Sequence, residues 1–200
     1  MSTRYRRIAP LYDLVDLPFE WLRYRRLRRE LCTGLCGHVL EAGVGTGQNL
    51  AFYPQGCTVT AVDLSPAMLV RAEQRARRAP VPVELVAGDL GDTGFAGDAF
   101  DAVVGSFVLL VMPPEQRVRV LREMARVCRP DGEIRLLEYT GSRRPWRRAL
   151  TRLWQPWARW AFGADLTMDL DPILACAPLT VLSDRYLVSD TIRLVTLRPR

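Results

Sequence analysis

The amino-acid sequence predicts an α/β fold with a doubly wound, mostly parallel sheet, helices on both faces and a C-terminal antiparallel hairpin. Short apolar segments alternate with helical ones from His38 to Tyr139, which favours parallel strands joined by crossover helices. A glycine-rich loop follows the first apolar segment, as it does in nucleotide-binding sheets. Near the C-terminus, two strand-like segments follow one another without a helix between them, which predicts an antiparallel pair.

The individual elements follow from periodicity and from turn residues. Alternating or continuous apolar residues predict strands at 38–42, 58–63, 83–87, 102–106, 133–139, 180–187 and 191–197. Residues 1–36 have helical, amphipathic spacing, and further helices are expected at 49–53, 65–78, 114–128 and 172–176. Ser65 and Pro66 form a cap and a first helical position. Residues 129–132 (Arg-Pro-Asp-Gly) predict a turn.

The chain of 200 residues has the length of one ordinary domain. We expect a helical N-terminal lid (1–36), a cofactor-binding core (37–140), an insertion rich in arginine and tryptophan (141–167) and a C-terminal helix with a strand pair (168–200). The longest uncharged apolar run, 102–114, is too short to span a bilayer. The arginine-rich first thirty residues do not resemble an export signal. We therefore expect a cytoplasmic protein, with peripheral contact at the inner membrane surface as an open alternative.

Basic residues are concentrated in two parts of the sequence. The net charge of +6 is carried by arginine, because the chain has no lysine. Eight arginines lie in the first 29 residues, and six more lie between Arg143 and Arg159 among four of the five tryptophans. This distribution favours contact with an anionic surface. No nucleic-acid-binding motif accompanies it, so nucleic acid is not expected. The segment rich in arginine and tryptophan either contacts an anionic membrane or packs as an ordinary helix on the core. The sequence does not predict the oligomeric state.

Cysteine and histidine usage excludes several site classes. The five cysteines are odd in number and form no C-x-x-C pair, and His38 is the only histidine. Neither a disulfide framework nor a metal site is therefore predicted. His38 lies at the start of the first predicted strand, away from the ligand edge, so base catalysis would fall to a carboxylate or a tyrosine. The candidates are Tyr12, Glu138 and Tyr139.

The strongest signal is the loop in which Gly43, Gly45 and Gly47 alternate with other residues after a short strand. Glycine lets the backbone turn tightly and approach a ligand closely. A dinucleotide fingerprint would need a third glycine at position 48 or 50, where this chain has Gln48 and Leu50. The loop therefore favours a nucleoside ligand other than a dinucleotide.

Two acidic residues lie where the next strands should end. Asp63 closes the second predicted strand, and Asp89 with Leu90 follows the third. The carboxyl ends of parallel strands meet at one sheet edge. There Asp63 can accept hydrogen bonds from ribose hydroxyls, Asp89 can accept from an adenine amine, and Leu90 can cover the ring.

These segments resemble the successive motifs of the class I S-adenosylmethionine (SAM)-dependent methyltransferases, which have a Rossmann-like fold. The resemblance rests on 39–47, 62–63, 88–89, 100–101 and 129–132 and covers about residues 5–140. It implies SAM as the cofactor, with the three glycines and Glu41 at the methionine part and Ser106–Val108 beside the sulfonium. The full set of cofactor residues expected is Glu41, Gly43, Gly45, Gly47, Asn49, Asp63, Leu64, Met68, Asp89, Leu90, Ser106 and Phe107.

Three narrower resemblances concern the acceptor. Residues 49–57 and 162–167 are similar to membrane-associated thiol S-methyltransferases, and residues 9–13 with the glycine loop are similar to bacterial phospholipid N-methyltransferases. Tyr12–Asp13 and residues 137–139 resemble quinone C-methyltransferases. All three resemblances imply a lipophilic or membrane-borne acceptor.

Three functions follow as hypotheses. The first is methyl transfer to a small lipophilic acceptor, either a phospholipid amine or an alkyl thiol. The second is methylation of a quinone or another small molecule at carbon or oxygen. The third is a SAM-binding or membrane-interaction module without catalysis.

Overall fold

The computed structural model describes residues 24–200, without the side chains of Ala161 and Phe162. The predicted catalytic residue Tyr12 and most of the predicted N-terminal lid lie outside the described residues. The strands are β1 (Gly37–Ala42), β2 (Cys57–Asp63), β3 (Val83–Ala87), β4 (Phe100–Ser106), β5 (Cys128–Tyr139), β6 (Leu179–Val188) and β7 (Ile192–Pro199). The helices are α1 (Arg25–Cys32), α2 (Pro66–Ala76), α3 (Pro114–Val127), α4 (Pro145–Phe162) and α5 (Leu170–Ala175), with a short 3-10 turn at Leu109–Val111.

The seven strands form one sheet in the order β3-β2-β1-β4-β5-β7-β6. The first five strands pair in parallel, and β7 pairs antiparallel with both β5 and β6. The predicted fold class is confirmed, including the C-terminal hairpin. The strand order reverses between β1 and β4, and ligands of open α/β sheets bind outside the carboxyl ends of the strands at such a point.

Helices cover both faces of the sheet. One buried cluster joins α3 and α5 to one face, with Leu121 and Met124 among its members. A second buried cluster joins α1 and α2 to the other face, with Leu31 and Ala72 among its members. In contrast, α4 has one buried residue among those whose side chains are described, Ala158. The sheet and four helices therefore form the core, and α4 lies outside it.

Two local predictions were wrong in detail. Residues 49–53 form successive turns and no helix, with Leu50 and Phe52 donating to carbonyls three residues earlier. Gly47 before this segment and Pro54 after it leave too few residues for a helical nucleus. Residues 129–132 lie within β5 as a bulge, because Phe100 pairs with Cys128 whereas Ala102 already pairs with Glu133.

The interior proline does not end α4, which continues through Pro156 to a left-handed Gly163 cap with φ of 69°. Among the described residues, none of the helices combines the length and the apolar character needed to cross a bilayer.

Packing against the sheet predicts the cost of a core truncation. Leu121 of α3 is completely buried, so Leu121→Ala should lower the free energy of unfolding by about 2–5 kcal/mol. Val70 of α2 is 71% exposed, and Val70→Ala should change the same quantity by less than about 0.5 kcal/mol. Urea denaturation measures both; an equal loss for the two variants would contradict the assignment of α3 to the core.

Candidate functional site

The carboxyl ends of the central strands meet at one edge of the sheet, around the glycine loop. The amides of Gly43 and Val44 both donate to the carbonyl of Val62 in β2, at 2.8 and 3.0 Å. These bonds fold the loop after β1 across the end of its neighbour β2. The backbone of the loop therefore lies at the position where open α/β sheets hold a ligand.

Glycine is required at the loop for two different reasons. Gly43 has φ of +74°, and a Cβ there would lie 2.6 Å from Val108 Cγ2, so the loop and the segment after β4 approach too closely for a side chain. Gly45 has φ of +54°, and a Cβ there would meet nothing within 4 Å. The backbone beside Gly45 thus borders open space that a bound group can fill.

Asp63 holds the loop from the end of β2. Its Oδ2 accepts from the Gly45 amide at 2.8 Å and its Oδ1 accepts from the Ser65 amide at 2.9 Å. Burial raises the pKa of Asp63, and these two amide bonds oppose the rise. Each carboxylate oxygen can accept further bonds, so Asp63 can fix the loop and still bind hydroxyl groups.

Glu41 is the centre of a buried polar network. Its Oε1 accepts from Asn49 Nδ2 at 2.8 Å, and the same nitrogen donates to Ser106 Oγ at 2.9 Å. Asn49 Oδ1 in turn accepts from the guanidinium of Arg28 at 2.7 Å. The network joins β1, the glycine-loop turns, β4 and α1, and it brings together three of the predicted residues (Glu41, Asn49 and Ser106).

Arg28 is a member of this network that sequence analysis missed. It is buried, and its guanidinium also lies 3.4 Å from Ser106 Oγ and 5.9 Å from the centroid of the Phe107 ring. In the sequence it is one arginine among eight in the first 29 residues. The one feature that indicates burial of Arg28 is its position directly after Leu27 on the buried face of α1.

The pKa of the buried Glu41 carboxyl is raised. Burial raises its pKa to about 7, although Asn49, Tyr53 and Arg28 lower it. Among the described residues, Glu41 Oε2 has no hydrogen-bond partner. A buried acceptor without a partner is costly. The Tyr53 hydroxyl, also buried without a partner, is one donor close to this carboxyl, and the amino group of a bound ligand is another that suits this oxygen.

The remaining predicted cofactor residues lie around the same edge. Leu90 is buried and would lie 3.6 Å from a Cβ on Gly43. Asp89 is exposed, its Oδ1 accepting from the Gly91 amide at 2.8 Å and its Oδ2 lying 3.5 Å from Arg119. Met68 is buried in α2, whereas Leu64 after β2 is exposed.

Glu138 is fully buried and holds the segment that follows β4. Its Oε1 accepts from the amides of Val108 and Leu109 at 2.7 and 2.8 Å, next to Phe107, which has φ of 55°. Burial raises the pKa of Glu138 to about 7 against the effect of these amides. The geometry favours a role in positioning this loop, and direct participation of Glu138 in catalysis stays a prediction.

Aromatic rings surround the same loop. Phe107 and Tyr139 each pack against both buried clusters, which places them where the two faces meet at the sheet edge. The ring of Tyr24 contacts Phe107 edge-to-face with centroids 5.7 Å apart. His38 lies at the start of β1, far along the strand from this edge, with Nε2 2.9 Å from Thr60 Oγ1.

The raised pKa of Glu138 predicts how stability depends on pH. Because the folded protein holds a proton that the unfolded chain releases near 4.5, this contribution is complete below that pH and is lost as pH rises through about 7. Glu138→Gln keeps an oxygen acceptor and removes the titration. Denaturant melts between about pH 5 and 8 should show a shallower decline in unfolding free energy for this variant than for the wild type.

Glu123→Gln is the matched control. Bonds from Arg126 and Thr93 lower the pKa of Glu123 to about 2, so its contribution is lost only as pH falls below its ordinary value. The Glu123→Gln slope from about pH 5 to 8 should therefore equal that of the wild type. A Glu138→Gln slope identical to the wild type would contradict a buried, protonated Glu138.

The sequence of this chain matches those of known methyltransferases, and solved structures share its fold. Residues 39–132 match a protein-family model described as a methyltransferase domain. The phosphatidylethanolamine N-methyltransferase of Cereibacter sphaeroides is 41% identical over 105 residues, which cover 52% of this chain and 51% of that protein. The human thiol S-methyltransferase is 34% identical over 52% of this chain and 43% of its own length.

A third relative aligns over more of the chain. The demethylmenaquinone methyltransferase of Tropheryma whipplei is 33% identical over 146 residues, which cover 70% of this chain and 59% of that protein. The chain thus spans about half the length of the curated relatives it matches.

Solved structures share the fold at low sequence identity. The PH0226 protein of Pyrococcus horikoshii superposes with a TM-score of 0.69 at 19% identity and covers 94% of this chain and 98% of that one. A SAM-dependent methyltransferase of Methanosarcina mazei superposes with a TM-score of 0.63 at 18% identity and covers 81% and 92%. The predicted family and cofactor are confirmed for the matched region: residues 39–132 form a methyltransferase domain similar to those of class I SAM-dependent methyltransferases.

Proposed function

We propose that this protein transfers the methyl group of SAM to a small lipophilic or membrane-borne acceptor, either a phospholipid amine or an alkyl thiol. The observation that carries the proposal is the set of carboxylates around the glycine loop, with Glu41 and Asp63 at the ends of adjacent strands. Bound SAM supplies an electrophilic methyl group on a positively charged sulfur.

The residues at the sheet edge suit the parts of SAM. Asp63 accepts from the ribose hydroxyls with the lone pairs that the Gly45 and Ser65 amides leave unused. Glu41 accepts from the methionine amino group through its unpartnered Oε2. The open space beside Gly45 takes the methionine chain, and Leu90 with Asp89 takes the adenine.

The protein contributes mainly alignment and a dry environment to such a transfer. The segment after β4 would line the methyl group, and Glu138 fixes that segment by binding two of its amides. Phe107 and Tyr139, with Tyr24 against Phe107, form an aromatic wall that excludes water. We propose Tyr139 as the polar group nearest the acceptor, with Tyr12 as a second candidate and Glu138 as a positioning residue.

The lipophilic acceptor rests on what the relatives have in common. Phosphatidylethanolamine and quinone acceptors, named for two of them, are lipids, and the aromatic wall suits an apolar substrate. A quinone is the second candidate, because the demethylmenaquinone methyltransferase aligns over 70% of this chain. If the protein bound SAM but transferred the methyl group to no acceptor, the remaining candidate would be a non-catalytic SAM-binding module.

Asp63→Ala tests the ribose assignment. Loss of two hydrogen bonds to hydroxyl groups should raise the SAM dissociation constant at least about tenfold, which is about 1.4 kcal/mol. Titration calorimetry measures it, and thermal melts establish that the variant folds. Asp131→Ala removes a carboxylate at the opposite end of the sheet and should bind SAM as the wild type does. Unchanged affinity in Asp63→Ala would refute the assignment.

Transfer of labelled methyl from SAM identifies the acceptor class. We expect label in phosphatidylethanolamine vesicles or in an alkyl thiol, with less in a demethylated quinol. Tyr139→Phe should lower kcat more than it raises KM if its hydroxyl serves the acceptor. Label in the quinol alone would favour the second candidate, and no label in any of the three would overturn the proposed function.

A further inference from the structure

Helix α4 carries an apolar face that is largely exposed. Its members recur at steps of four, three, four and three residues, which places them on one side of a helix. We call this the tryptophan face, and it consists of Trp146, Leu150, Leu153, Trp157 and Trp160. Each of these side chains is about half exposed or more, and Leu153 and Trp160 are three-quarters exposed. Large apolar surface of this kind marks an interaction site.

A second exposed row on the same helix is basic. Arg148, Arg152 and Arg159 recur at steps of four and seven residues and are all exposed. Within residues 24–200, no acidic side chain forms a salt bridge with any of the three. The stretch 143–162 has six arginines and no acidic residue, so its charge equals the net charge of the whole chain.

Both ends of α4 are fixed to the rest of the protein. At its start, Arg147 binds Asp190 at 2.7 Å, and Ser142 before the helix donates to the same carboxylate at 2.6 Å. Near its end, Gln155 bonds the backbone of Ala164 and Leu166. An apolar face on an anchored helix is a fixed surface rather than a loose segment.

The end of α4 is also joined to the segment beside the methyl-transfer site. The amide of Asp165 donates to the carbonyl of Leu110 at 2.8 Å. Arg117, which is buried, donates to the carbonyl of Leu109 at 2.9 Å and to Asp165 Oδ2 at 3.0 Å. Hydrogen bonds therefore connect the end of the exposed helix α4 to the loop that Glu138 positions.

We propose that α4 docks on an anionic phospholipid bilayer, with the tryptophan face in the head-group region and the arginine row on lipid phosphates. Tryptophan and leucine on one side of a helix, with arginine on the other side, is the pattern of interfacial helices. A second copy of the chain is a poorer occupant, because packing two copies of α4 together would bring two stretches with six arginines and no acidic residue next to each other. An RNA would pair with the arginines and leave the leucines exposed.

Docking gives the proposed acceptor a route to the site. A lipophilic acceptor would leave the bilayer next to the loop of Leu109 and Leu110, and this step rests on the proposed function. Vesicle binding itself does not rest on it.

Co-sedimentation of the full chain with vesicles tests the proposal. We expect binding to phosphatidylcholine vesicles that contain phosphatidylglycerol, weak binding to pure phosphatidylcholine, and a blue shift of tryptophan fluorescence on binding. The double variant Arg152→Gln/Arg159→Gln should lower the partition coefficient about 30-fold at low salt, the product of two arginines at about 1 kcal/mol each. Leu153→Glu should lower it at least roughly tenfold.

Val70→Glu is the matched control, because Val70 is as exposed on α2 as Leu153 is on α4. It should bind vesicles as the wild type does, and all variants should keep the wild-type melting temperature and SAM affinity. A lowered melting temperature in Leu153→Glu would overturn the proposal by showing that the chain itself covers the face. So would a sedimenting dimer that Leu153→Glu dissociates, or tighter binding to single-stranded RNA than to anionic vesicles.

Two further outcomes separate this proposal from the proposed function. Absence of vesicle binding together with methyl transfer to a soluble thiol would overturn the docking alone. Vesicle binding without methyl transfer to any acceptor would overturn the proposed function and leave the docking in place.

Discussion

The structure depends on two carboxylates that are buried at the ends of β1 and β5. Glu41 and Glu138 are removed from water, which is costly for an acid unless hydrogen bonds or a proton compensate. A hydrogen bond from Asn49 offsets the cost of burying Glu41. Hydrogen bonds from the amides of Val108 and Leu109 offset the cost of burying Glu138. Each carboxylate therefore fixes a segment outside the α-helices and strands, which in the case of Glu138 leads into the 3-10 turn at Leu109–Val111.

The two fixed segments lie against each other at the point where the strand order reverses. Gly43 approaches Val108 so closely that no Cβ fits between them. The glycine loop and the segment after β4 thus form a single surface, to which Asp63 adds the end of β2. We propose that this surface positions SAM on one side and the acceptor on the other.

Much of the fold could be predicted from the sequence, because strands and helices depend on local periodicity. The bounds of β3 were predicted to the residue, and the hairpin followed from two adjacent strand patterns. The hydrogen-bond network of Asn49 could not be predicted, because it depends on side chains that only the fold brings together. Arg28 was missed for the same reason: its sequence neighbours are also arginines, and only the fold selects it. Proline in a helix interior usually breaks or kinks the helix, yet α4 continues through Pro156.

Site residues could likewise be predicted where they depend on local sequence pattern, and not where they depend on the fold. Carboxylates that end predicted strands, such as Asp63, lie where the pattern placed them, because strand ends define the edge of a parallel sheet. The burial of Glu138 could not be predicted, because it depends on the amides of a loop thirty residues away. A structure of the protein with S-adenosylhomocysteine is the most direct test. We expect ribose hydroxyls within hydrogen-bond distance of Asp63 and the amino group at Glu41 Oε2. A nucleoside bound away from Asp63, or an amino group that leaves Glu41 Oε2 without a partner, would contradict it.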